Sequence, residues 1–438
     1  MKKGVIILVF LITLSAQGQA TGAYSTVMGY STTASGHTST AMGYLSEASG
    51  SHSTAMGRDT KASGTASTAM GYGTETTGTH STAMGYGSKA NGESSIALGH
   101  NSIASGYYST ALGHNSIASG DFTTAMGHNS KAIGDLSTAI GHGTTASAYN
   151  STSMGYFTTA SGTNSLAMGK STTASGTIST AMGSETLASG DYSTALGYYS
   201  QANGNYSTAM GYNSNASGNY TTAMGHNSKA NGAVSTATGY STTAIGESST
   251  AMGKQTTASD YASLVIGQYN DAGSTETIPN SSATYYNPAN TAFVIGNGTA
   301  SNAKNDAFKV LFNGETTVSS HLTVNGDIVV SSDARLKANI VSLGATLAKL
   351  LLIDGKSYIM KKDGKQKIGV LAQDIQKVFP ELVSEDSNKM LAVNYLGLVS
   401  VLVNAIKEQD GKMKAQDSKM KAQEKRLECL EKLMSTLN

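Results

Sequence analysis

The chain has 438 residues, with fifty glycines, no tryptophan and only 13% charged residues, a composition that excludes a conventional large globular core over much of its length. Its formal net charge of +1 excludes a general attraction to nucleic acid or to acidic surfaces. No dinucleotide fingerprint, phosphate loop, zinc spacing or calcium repeat occurs, so no cofactor or resident metal and no conventional turnover enzyme is expected.

The first element is a leader. Residues 1–20, MKKGVIILVFLITLSAQGQA, combine two lysines, an apolar run over 5–14, and the small residues Gly18 and Ala20 at a cleavage end, which is the pattern of a secretory signal peptide removed near Ala20. The run is shorter than the ~20 residues that cross a bilayer. The mature chain is therefore expected to be secreted or on the cell surface, without a transmembrane segment. The single cysteine, Cys429, lies near the C-terminus and has no intrachain partner.

From residue 21 to 267 the chain repeats. Glycine recurs every seven residues from Gly22 to Gly267, interrupted only at Ala148 and Asp260. Two unlike heptads alternate, so the true period is fourteen. Recurrence this strict predicts a solenoid whose coils bury themselves only against their neighbours. Each heptad is read as a five-residue strand and a tight turn in which glycine takes positive φ. Strand alternation then separates Ser39, Ala41 and Gly43 from Thr40 and Met42. The apolar Thr/Met ladder is expected inside the roll, and the small Ser/Ala/Gly face outside, where another chain could approach. About eighteen coils at ~4.8 Å per rung make a rod on the order of 80 Å long. The residue after the first glycine forms a column that includes Tyr30, Tyr44, Tyr72, Tyr86, His100, His114, His128, His142 and Tyr156. It reads as a self-stacking edge of the roll, or as a surface for a host protein or glycan ligand. The S-x-A-x-G heptads resemble the head repeats of trimeric autotransporter adhesins. That resemblance implies a left-handed parallel β-roll joined three at a time, hence a homotrimer. No membrane-anchoring barrel follows the repeats, so surface attachment by that family's route is not expected.

Residues 268–330 read as a β-rich neck, with turns at Asn297-Gly298, Asn313-Gly314 and Asn325-Gly326 between short strands. A small α+β domain over 331–395 follows, with a helix ended by Pro380. Residues 396–438 read as a helical coiled coil. Val399, Ile406, Met413, Met420, Leu427 and Met434 recur at seven, as do Leu402, Gln409, Gln416, Gln423, Leu430 and Leu437. The three glutamine layers would sit in an oligomer core, where polar layers set register and chain number.

The stretches SSDARLKANI, IGVLAQDIQKVFPELV and LAVNYLGLVSVLVNAIKEQ are together similar to the intramolecular chaperone domain of phage tail spikes and fibres, peptidase family S74. The resemblance implies that this domain trimerises the chain ahead of it and then cuts itself off with a Ser-Lys dyad. Its serine matches Ser332, its lysine Lys337 and a positioning acid Asp333, and the bond cut would join Ser331 to Ser332. The leading expectation is a secreted, adhesin-like trimeric fibre that cleaves itself once. An ice- or crystal-binding solenoid and a phage or prophage tail fibre are the alternatives.

Overall fold

The computed structural model describes residues 18–271, 282–361, 364–385 and 389–436. The chain divides into two units, Met1–Leu322 and Thr323–Asn438. Most of the leader lies outside the described residues. Its end does not, because Gln19–Ala20 pairs with Thr33–Ala34 as part of the first coil.

The first unit is mainly β, a parallel solenoid. Each coil contributes one five-residue strand, such as Thr40–Tyr44, and one two-residue strand, such as Glu47–Ala48. Each strand pairs in register with the strand fourteen residues on, as Ala41 with Ala55 and Met42 with Met56. The short strands build an eighteen-stranded sheet.

The two faces are opposite to the sequence expectation. Ala41, Ala48, Ala97 and Ala111 are fully buried inside the roll. The Thr40 and Met42 positions face outward and are half-buried, and Met28, Met84, Met126 and Met252 are exposed. Fourteen residues per coil bring the two sheets so close that small side chains, chiefly Ala, Ser and Thr, fill the space between them, and methionine there would overpack the interior. Some interior hydroxyls pair with backbone carbonyls: Ser39 Oγ donates to Gly36 O at 2.8 Å and Ser46 Oγ to Gly57 O at 3.0 Å.

The glycines also divide into two kinds. Gly43 and its equivalents, next to last in the long strands, combine φ near 120°, which only glycine adopts readily, with a close backbone approach, a Cβ at Gly43 falling 1.9 Å from the Gly57 carbonyl oxygen. Gly36 and its equivalents do not have positive φ. A Cβ at Gly36 would lie 1.9 Å from the carbonyl oxygen of Gly50 in the next coil, so glycine is there to let backbones approach. The left-handed turn positions fall largely to other residues, among them Leu45, Asn101, Phe122 and Ile178.

The roll is capped by its own chain. Thr291–Asn297 pairs in parallel with Leu264–Gln268 and adds one rung to the long sheet. The Asn270 amide closes the short sheet, accepting from Thr257 N at 2.7 Å and donating to Thr257 O at 3.0 Å. Asp260, at a glycine position, is fully buried, and its Oδ2 accepts from Thr291 N at 2.6 Å. The break in the glycine period thus marks where stacking ends. Asp306–Leu311 and Thr316–Val318 continue as antiparallel strands, joined around Asn313-Gly314. Around Asn325-Gly326 the expected strands are not formed, and the segment is irregular and exposed. A hairpin with no core to cover it is not stable alone.

The second unit holds the short helix Leu347–Leu350, the helix Ala372–Val378, two antiparallel hairpins (Lys356–Ile359 with Gln366–Gly369, and Val383–Glu385 with Leu391–Val393), and the long helix Tyr395–Thr436. Pro380 opens a 3₁₀ turn directly after Ala372–Val378. Asn394 caps the long helix by accepting from Gly397 N at 2.9 Å. The core is small, built on Ile375, Phe379 and Val401, with Leu350, Val370, Leu382 and Leu398 packed around them. Thr346 Oγ1 donates to Val401 O and Leu347 N to Glu408 Oε2, at 3.1 and 3.0 Å, which ties the short helix to the long one.

Candidate functional site

Ser332 and Lys337 are brought together by a single tight turn. Asp333 is extended, and its carboxylate accepts from Arg335 N at 2.8 Å, capping the 3₁₀ turn Ala334–Leu336. Leu336 N and Lys337 N close that turn onto Asp333 O and Ala334 O, each at 3.1 Å. The chain doubles back over five residues, and Lys337 Nζ lies 2.7 Å from Ser332 Oγ. This is the contact that a lysine base and a serine nucleophile require. Ser331, Ser332, Asp333 and Lys337 are all exposed to solvent in the single chain.

Asp333 supports the turn, and its carboxylate is engaged by Arg335. Arg335 grips it through Nε and Nη2, the latter at 2.7 Å from Oδ2. Hydrogen bonds from Arg335 hold the Asp333 carboxyl below its ordinary range. Sequence reading gives Arg335 no role, although its place two residues after the capping acid is the pattern of such a clamp.

Gln409, Gln416 and Gln423 are exposed along the long helix, and so are Val399, Leu402, Ile406, Met413, Met420 and Leu427. The helix packs onto its own domain through Leu398, Val401 and Ala405 instead. The heptad stripe is therefore a separate face from the one that the domain covers.

On the roll, the outward column is continuous over ten coils. From Tyr30 to Tyr44 and from Tyr72 to Tyr156 the rings stack with centroids 4.7 to 5.2 Å apart. Arg58 bridges the gap, with its guanidinium 5.5 Å from the Tyr44 ring and 5.3 Å from the Tyr72 ring. A planar cation can replace a ring in such a column. The four histidines lie face to face, so their ring nitrogens do not converge. Ring faces within the column cover one another and only edges meet solvent. No helix among the described residues is long and apolar enough to cross a membrane.

Comparison with known proteins places both parts. Nine successive segments between residues 20 and 270, more than half of the chain, match the YadA head domain repeat. Residues 332–384 match the family described as Chaperone of endosialidase, Peptidase S74, and that match begins at Ser332. Long tail fiber protein Gp37 of Escherichia phage AR1 is 35% identical over 92 residues, which is 19% of this chain and 8% of that protein. The chain thus spans a small fraction of that relative's length. It belongs to the YadA head-repeat family, and it carries a chaperone-of-endosialidase domain after the repeats.

Proposed function

We propose that this chain is a secreted, homotrimeric, adhesin-like fibre whose C-terminal domain assembles the β-roll head and then releases it by one self-cleavage between Ser331 and Ser332. The observation that carries the cleavage is the 2.7 Å contact between Lys337 Nζ and Ser332 Oγ at the start of the chaperone match. The neutral lysine amine takes the hydroxyl proton, and Oγ attacks the Ser331 carbonyl carbon. The Ser332 nitrogen leaves as an amine with that proton, giving an ester between the Ser331 acyl group and Ser332 Oγ. Water opens the ester and frees a Ser331 carboxylate. One peptide bond and one water are consumed, and each chain reacts once. A neutral amine is favoured by burial, which in this reading comes from neighbouring copies.

Both families point to a trimer at a surface or outside the cell. The outward Met ladder and the exposed heptad stripe of the long helix are the apolar surfaces that copies would cover. The 35% identity to a tail fibre protein favours a second reading, a virion fibre assembled in the cytoplasm. Recovery of the protein from culture medium, with residues 1–20 removed, supports export; intact leader on virion-associated protein supports the fibre. Wild-type protein is expected to yield a fragment of 107 residues, 332–438, while Ser332→Ala and Lys337→Ala stay full length. N-terminal sequencing of the small fragment checks this, and a start other than Ser332, or normal cutting in either variant, overturns the dyad.

A further inference from the structure

The second unit carries an apolar groove of about 430 Å³ between its two hairpins, lined by Tyr358, Met360, Leu371, Met390, Val393 and Tyr395. No charged side chain lines it. Met390 is 67% exposed and Tyr395 54%, so this apolar surface faces water in one copy. Both bordering hairpins have only two strands and gain from further cover.

The same unit contains an apolar segment that faces solvent. Val324, Ile328, Val329 and Val330 are exposed, Val329 to 88%, on a stretch of residues 323–330 outside any helix or strand. It ends one residue before the proposed scissile bond.

We infer that the groove of one copy receives residues 328–330 of a neighbouring copy, and so holds the Ser331–Ser332 bond in place. The neighbour is favoured over the chain's own segment by continuity with the helix stripe. Tyr395 in the groove wall, Val399, Leu402 and Ile406 follow at helical spacings of four, three and four, which puts them on one side of the long helix. A copy packed along that stripe meets the groove at its end. The segment is neutral from Ile328 to Ser332 and matches the uncharged groove. Cleavage would then follow assembly, because the bond is fixed only when a second chain supplies the groove. This rests on the trimeric, self-cleaving reading above.

The test uses full-length chains carrying Ser332→Ala to prevent cutting and Cys429→Ser to remove the native thiol. One tagged chain carries Val329→Cys or Val330→Cys, which sample both faces of the segment, and a differently tagged chain carries Met390→Cys. After coexpression and mild oxidation, a disulfide-linked pair holding both tags is expected, because two cysteines bridge only when their Cβ atoms come within about 4.5 Å. The control pairs the same segment cysteines with Ser418→Cys on the exposed helix. Linkage no greater than this control overturns the docking, and a bridge formed within one chain carrying both cysteines overturns the assignment to a neighbour. Light scattering on the same samples separates this failure from a failure to trimerise.

Discussion

At the scale of single residues, the chain depends on glycine for two different reasons, and substitution should tell them apart. A Cβ at Gly106 would lie 1.9 Å from the Gly120 carbonyl, whereas at Gly73 it would meet nothing within 4 Å. Gly106→Ala must push two coils apart and is expected to cost on the order of 3 kcal/mol or more. Gly73, at φ +62°, occupies a turn slot that Leu45 and Asn101 fill elsewhere, so Gly73→Ala should cost about 1–2 kcal/mol. Thermal melting of the two variants checks the order, and equal losses would show that coil contact is not the constraint. The pairing of Ser332 with Lys337 is equally local. A five-residue spacing and one capped turn are enough to bring the hydroxyl and amine together.

Among elements, the outward and inward faces of the long strands predict opposite outcomes for charge. Ala111→Glu places a carboxylate without a partner inside the roll, where burial of an unpaired charge costs several kcal/mol. It should lower the β signal in circular dichroism. Met126→Glu with Met154→Glu changes only the outward face, and should lower the mass seen by light scattering while leaving the β signal intact. Loss of folding in the methionine variant, or intact oligomer in it, would contradict the assigned packing. The long helix makes a parallel case, since its heptad stripe lies away from Leu398, Val401 and Ala405, which serve its own domain. Deleting residues 409–438 leaves Ser332 and Lys337 in the chain but removes most of that stripe. Cutting is expected to stop, and to return when an unrelated trimeric coiled coil replaces the deletion; a gel reads both, and efficient cutting by the truncated monomer would refute the dependence on assembly.

For the whole molecule, the proposed function divides the labour of folding between the two units. A solenoid whose coils touch only their neighbours has no long-range contact of its own to align several copies. The second unit has a core of a few residues and several exposed apolar surfaces, which suits a device that works only when assembled. Uncut Ser332→Ala protein, unfolded in denaturant and diluted, is therefore expected to recover trimer mass, whereas the released head alone should not. Equal recovery of the two would show that the head needs no chaperone.

Much of this protein was legible in its sequence, because the fourteen-residue period, the glycine spacing and the heptads are local patterns, and each coil repeats the same local solution. The five-residue strands, the helix stop at Pro380 and the long helix start beside Leu396 follow from such patterns, whereas the second heptad of each coil forms only a two-residue strand and the part Asp260 plays in closing the roll was not visible. The Ser332–Lys337 spacing was visible too, although the Arg335 clamp on Asp333 was not. Alternation showed that Ala41 and Met42 lie on opposite faces, but which face is inside depends on the distance between the two sheets. Only the closed coil sets that distance, and it leaves room for small side chains, chiefly alanine, serine and threonine. Likewise, glycine every seven residues announced tight turns, yet close backbone stacking at Gly36 and positive φ at Gly43 are consequences of the neighbouring coil. The strands expected around Asn325-Gly326 did not form because turn chemistry proposes a hairpin and only a packed core retains it.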